Sequence, residues 1–238
     1  MNEANFRYAA SRPATGAVAV DEGLRAYMLR VYNYMASGIL LSGIVALMAA
    51  NSPSFMQLLW ATPLKWVVMF APLAIIFVPF NRLSVATGQI VYWVFTAAMG
   101  LSLSIVMLVY TGASVARVFF ITAAMFGAMS LYGYATKADL SRFTTFLMMG
   151  VIGIVIASIV NVFLGSSALQ FAISVIGVVV FTALVAWNTQ MIKETYYLAQ
   201  SAEDEGRSAV MGALALYVNF VNLFQVLLSL LGVRTSND

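Results

Sequence analysis

The stretch that decides the fold is LQFAISVIGVVVFTALVAWNTQ, residues 169–190: twenty-two residues without one charge. A helix of that length rises about 33 Å at 1.5 Å per residue, enough to cross a hydrocarbon core of about 30 Å. Its apolar residues are continuous rather than alternating, which excludes a strand of a membrane barrel. Nothing breaks a helix in the following MIKETYYLAQ, residues 191–200, so the helix is expected to continue past the membrane until the acidic cluster EDEG, read as a solvated loop. The run ends on an amide, Asn188, and a second amide, Asn219, sits inside the next apolar run. Lipid tolerates such groups poorly, so each needs a partner or a purpose.

The rest of the chain has the same character. The hydrophobic share is 62% and the charged share 9%, against about 45–50% and about 25% in soluble domains. Six further runs join the first, giving seven expected spans: Tyr32–Ala50, Leu64–Phe80, Thr87–Tyr110, Ser114–Tyr134, Phe143–Leu164, Leu169–Gln190 and Ala209–Leu231. NSPS, PFNR, TGAS, TKADLSR and GSS punctuate them. The expectation is an all-α integral membrane protein, a seven-transmembrane-helix bundle over residues 21–238 preceded by a mobile cytoplasmic tail over residues 1–20. That tail lacks the apolar core of a signal peptide.

Basic residues set the expected orientation. With the N-terminus in, Arg7, Arg12, Arg25, Arg30, Arg82, Lys137, Arg142, Lys193 and Arg207 are cytoplasmic, and Lys65, Arg117 and Arg234 lie outside. Nine against three places the N-terminus in and the C-terminus out. The charges are spread between spans and form no basic face, so nucleic acid is not a partner.

Absent residue types exclude chemistries. The chain has no cysteine and no histidine, which removes disulfides, thiolate nucleophiles, imidazole bases and His or Cys zinc sites. No nucleophile, base and orienting group cluster within the spans, so the chain is read as no enzyme, with no cofactor and no metal site. The last span has no lysine for a retinal Schiff base. Small-residue pairs four apart (Ser42 with Ala46, Ala123 with Gly127, Gly153 with Ala157) read as close-packing sites between spans. Trp60, Trp66, Tyr110 and Tyr134, near span ends, suit interfacial anchoring.

Polar residues in the last span carry more information. Asn219, Asn222 and Gln225 recur every three residues and form a slanted stripe. Two readings stand: interhelical hydrogen bonding, worth about 0.6 kcal/mol per bond, or the lining of a polar conduit.

YGYATKADLSRFTTFLMMGVIGIVIASIVNVFL (132–164), FTALVAWNTQMIKE (181–194) and GALALYVNFVNLFQVLLSLLG (212–232) resemble successive signature stretches of the Bax-inhibitor (TMBIM) family, and LRAYMLRVYNYMASGILLSGIVA (24–46) resembles the opening of its bacterial members. The resemblance runs from Leu24 to Gly232. It implies a bundle around one central helix and a proton-sensitive calcium leak, in which two facing aspartates share a proton and act as a pH sensor. Where the family has DTQ this chain has Asn188-Thr189-Gln190, and where it has LYLDFINLF the chain places Asn219. An asparagine has nearly the shape of a protonated aspartic acid but cannot ionise, so the pair resembles the sensor held neutral.

The expected function is therefore a passive cation leak, with calcium as permeant ion and pH sensing abolished or altered. The alternative is a non-conducting membrane regulator that binds other membrane proteins. The expected site is the pair Asn188 and Asn219, lined further by Asn222 and Gln225. Arg82 is the candidate latch, and Asp139 and Glu194 are the remaining carboxylates that could attract a cation. The expected setting is the lipid bilayer of a bacterial inner membrane, as a multi-pass monomer. The two asparagines are expected within direct or one-water hydrogen-bonding reach of each other.

Overall fold

A computed structural model describes residues 14–76, 79 and 83–235. The helices are α1 (Ala14–Ala50), α2 (Pro53–Ala61), α3 (Leu64–Ile76), α4 (Val85–Leu103), α5 (Val106–Val109), α6 (Gly112–Ala135), α7 (Thr144–Leu164), α8 (Ser167–Leu198) and α9 (Ala202–Leu231), with a 3₁₀ turn at Leu140–Phe143. Among the described residues there is no sheet, only one bridge between Tyr110 and Arg234.

Six segments are long and apolar enough to cross a membrane: Glu22–Ala50, Val85–Val109, Gly112–Ala135, Leu140–Leu164, Ser167–Leu198 and Ala202–Leu231. The expected second span coincides with α3, whose 13 described residues reach about 20 Å. Its remaining residues Phe77, Val78 and Phe80 lie outside the described ones, as do residues 1–13 of the expected tail. α1 begins at Ala14, well before Tyr32, because no proline or turn signal interrupts the sequence between them.

Two elements depart from the sequence reading. α2 is a short surface helix started by Pro53 at its first turn, a position where the missing N–H costs nothing. The acidic cluster is not a loop. Ser201 caps α9 by accepting from the Asp204 amide, and Glu203, Asp204 and Glu205 occupy the first helical turn, where carboxylates meet the positive end of the helix dipole. α8 does extend beyond the apolar run, to Leu198.

α9 is the axis. It packs against α8, α1, α6 and α4, and half of its most apolar stretch is buried, against 11% for that of the Leu140–Leu164 segment. α7 packs mainly on α8 and the preceding 3₁₀ turn and turns Phe146, Met149, Ile156 and Phe163 outward, as suits a lipid-facing helix. α1 and α9 run parallel and in step. Arg30 meets Glu205 at 3.2 Å, and twelve residues further along both helices the Ser42 and Tyr217 hydroxyls lie 2.5 Å apart. α8 runs antiparallel to α9, with Ile192 opposite Gly212, Val226 opposite Gly177 and Ser174 3.1 Å from Ser229.

Charged groups gather at the end of the bundle where α9 starts. There Arg207 donates to the Leu83 carbonyl at 2.9 Å, and Lys193 donates to the Tyr134 carbonyl at 3.1 Å. At the other end Thr111 N–H donates to Val233 O and Thr235 N–H to Val109 O, tying the α5–α6 turn to the end of α9.

Only one of the three small-residue pairs sits at a tight interface. Ser42 and Ala46 are buried in α1. A Cβ added to Gly127 or Gly153 would meet nothing within 4 Å, so neither permits a close approach. The glycines that do permit close approach are others: a Cβ on Gly100 would stand 2.7 Å from the Ser42 carbonyl oxygen, and one on Gly133 would stand 2.3 Å from that of Ala186.

Candidate functional site: an amide-lined cavity between α8 and α9

The WNTQ tetrapeptide that ends the sixth apolar run lies inside α8, where successive side chains point about 100° apart. Each therefore meets a different neighbour. The Trp187 indole donates to Thr144 Oγ1 at 2.9 Å and ties α8 to α7. Thr189 is fully buried and lies 3.0 Å from Ser130 Oγ of α6, which in turn hydrogen-bonds Tyr32 of α1. Gln190 clamps the loop before α7, donating to Ala138 O and accepting from Leu140 N–H, both at 2.8 Å. Asn188 faces a cavity.

That cavity has a volume of about 580 Å³, with Asn188, Asn219 and Asn222 among its walls. The apolar part includes Met148 and Val151 of α7, Trp187 of α8, Met211 of α9 and Pro79. The α8–α9 register explains the meeting. Asn188 lies level with roughly residues 215–216, so Asn219 is only about one helical turn further along. The extension of α8 beyond the apolar run makes this register geometrically available.

The two amides share the cavity without bonding each other. Asn188 Nδ2 donates to Leu184 O of its own helix at 3.1 Å. Asn219 is 6% exposed, and its Nδ2 is buried with no hydrogen-bond partner. Leaving such a group unpaired costs about 1–3 kcal/mol. Asn222 is half-buried on the same wall.

Gln225 is exposed and off the cavity wall. A spacing of three falls short of a full turn by about 60° per step, so two steps from Asn219 swing Gln225 about 120° away. Arg82 lies outside the described residues. Asp139 is exposed and occupied locally: it caps the 3₁₀ turn by accepting from Ser141 N–H at 2.9 Å and from its hydroxyl at 2.5 Å, with Arg142 at 3.6 Å. The Ser141 side-chain and backbone bonds, with smaller help from Arg142, hold its carboxyl below the ordinary value. Glu194 is exposed on the extension of α8 and does not line the cavity.

No charged side chain among the described residues lines the cavity, and no group of three or more His, Cys, Asp or Glu assembles among them. Sequence reasoning missed the hydroxyl chain Tyr32–Ser130–Thr189 and the Ser42–Tyr217 contact. Serines and threonines are common in spans, and no spacing marks these as partners.

Fold and site together define a helical membrane protein built around one buried helix, with an uncharged, mostly apolar cavity carrying three amides beside it. The family model described as "Inhibitor of apoptosis-promoting Bax1" matches residues 24–236, and the chain belongs to this Bax-inhibitor family. Among its relatives, the uncharacterized protein RP147 of Rickettsia prowazekii is 49% identical, covering 90% of this chain and 92% of the relative. An uncharacterized protein of Caulobacter vibrioides is 47% identical over 98% of both chains. The inner membrane protein YbhL of Escherichia coli is 43% identical, over 89% of this chain and 93% of its own.

Proposed function

We propose that the chain is a passive cation leak of the Bax-inhibitor type, in a bacterial inner membrane, whose gate is held by two amides instead of an ionisable pair. The observation that carries the reading is the shared cavity of Asn188 and Asn219 against the central helix, with the Asn219 amide unpaired. Amide oxygens are acceptable ligands for a hard cation such as calcium, while an amide nitrogen facing the void repels it. Rotation of either side chain would exchange one for the other.

The proposal includes seven crossings with the N-terminus in the cytoplasm. In support, the end of α1 and the segment near Leu83 lie at opposite ends of the bundle, as a further crossing through α3 requires. A reporter fused after Val233 is expected outside, and a cytoplasmic signal would refute the seventh crossing.

The test is the double variant Asn188→Asp/Asn219→Asp, reconstituted beside the parent in liposomes. Two carboxylates in this cavity would repel each other and be poorly solvated, which raises one pKa toward neutrality. The variant is expected to gain pH-dependent calcium flux that the parent lacks, and each single variant to give a weaker response. A folded double variant that conducts as the parent does at every pH would reduce the pair to interhelical packing. The mostly apolar lining favours a second reading, a non-conducting regulator of other membrane proteins; zero calcium flux from parent and variant at every pH would select it.

A further inference from the structure

A different opening lies between α1 and α6. Both helices pack on α9 but not closely on each other, and the gap between them holds a cleft of about 680 Å³ floored by Phe220. A smaller cavity of about 280 Å³ continues it toward the far end of the bundle, sharing Ile39, Phe119 and Phe220. Together they follow α1 from Arg25 to Leu47, about 33 Å along a helix, comparable with a hydrocarbon core. Leu29 and Leu131 on its rim are exposed, so the cleft opens sideways to the bilayer.

Three observations identify the occupant. First, the Tyr32 and Ser130 hydroxyls bond across the gap, so a partner helix about 10 Å wide cannot enter, whereas a single hydrocarbon chain can. Second, Gly127 faces open space on the cleft wall: its missing side chain keeps the groove clear and serves no helix contact. Third, one end of the cleft carries cations. Arg25 lines it, no lining residue is acidic, and Lys193 stands 5.2 Å from the ring centre of Tyr134, itself a lining residue. Glu205 of α9 is engaged by Arg30, and Glu22, three residues before Arg25 on α1, is exposed and off the cleft lining.

We propose that this cleft binds one anionic glycerophospholipid, its phosphate between Arg25 and Lys193 and one acyl chain along Met35, Gly127 and Ile39 over Phe220. The site is independent of the leak reading, since the cleft shares no lining residue with the amide cavity and contains neither asparagine.

The test uses the full chain in nanodiscs containing phosphatidylglycerol with a photoactivatable group in its tail. Crosslinks are expected to concentrate on residues 28–39 of α1 and 119–134 of α6. Labelling spread evenly over the outward faces, α7 included, would overturn the proposal without any variant. Native mass spectrometry gives the second arm. The parent is expected to retain one phosphatidylglycerol under conditions that strip phosphatidylethanolamine. Arg25→Gln is expected to lower retention about fivefold, the scale of one basic residue at an anionic surface. Gly127→Phe, which fills the tail path, is expected to abolish it. Equal retention of both lipids would overturn the proposal. So would competition by free inorganic phosphate together with an unaffected Gly127→Phe, which would indicate an anion site with no tail groove.

Discussion

The central helix α9 has two contrasting sides. Toward α1 and α4 its polar groups are paired and packed: Tyr217 meets Ser42 and stacks edge-on with Phe95 and Tyr92. Ser42 also donates to Thr96 O at 2.6 Å, and Gly100 lets the α1 backbone come close. Toward α8, two residues after Tyr217, Asn219 faces a void with its amide nitrogen unbonded. Both residues are polar and both are buried, so polarity and burial do not separate glue from site. Satisfaction does. A paired hydroxyl locks two helices, whereas an orphaned amide beside a cavity is a group waiting for a ligand, a water or a second rotamer.

The largest effect that could break this contrast is steric. Gly100→Ala would place a Cβ 2.7 Å from the Ser42 carbonyl oxygen and 2.8 Å from Val45 Cβ, forcing α1 and α4 apart. Overpacking of this kind costs about 1–3 kcal/mol, and thermal melts of the purified protein should show a clearly lowered midpoint. A shift no larger than that of an exposed-site control would mean that the locked side is compliant.

The next pair sharpens the contrast within one helix. Tyr217→Phe removes the bond to Ser42 and should cost about 0.5–1.5 kcal/mol. Asn219→Leu, similar in volume, removes an amide that bonds nothing, and should be neutral or stabilising. If chemical unfolding ranks Asn219→Leu as the costlier change, the amide has a partner in solution and the comparison fails.

The smallest effect expected is none. Between about pH 6 and pH 8 the parent's melting midpoint and calcium flux should stay constant, because the chain has no histidine and no carboxylate lines the amide cavity among the described residues. Asp139 does not alter this. Its pKa is lowered in the folded protein, so any stability it contributes is present above the ordinary carboxylate value and is lost only as pH falls through the lowered one. A sigmoidal change in flux near neutrality would point to an ionisable group reaching the cavity from elsewhere.

Much of the architecture was legible from residue order. Runs such as Leu169–Gln190 and Ala209–Leu231 have no charge to keep them in water, so their membrane character and helical form follow from solvation and backbone hydrogen bonding alone. The continuation of α8 to Leu198 was legible because no breaker intervenes. The Ala123/Gly127 pair misled, because a small residue marks either a close contact or an open groove, and the sequence reads the same for both. The interruption of the third span at Ser104 and Ile105 left no proline or glycine as a sign.

What the chain determined by itself is the set of helices and the angular order of side chains around each. That order is local: 100° per residue follows from the backbone. Which neighbour stands at each angle was decided only by the tertiary structure. In lipid no hydrophobic drive selects one helix face over another, so the arrangement rests on van der Waals fit and a few hydrogen bonds between residues far apart in sequence. That fit turned Tyr217 toward Ser42, 175 residues away, turned Asn219 and Asn188 into one cavity, and left Gln225, on the same stripe, facing outward.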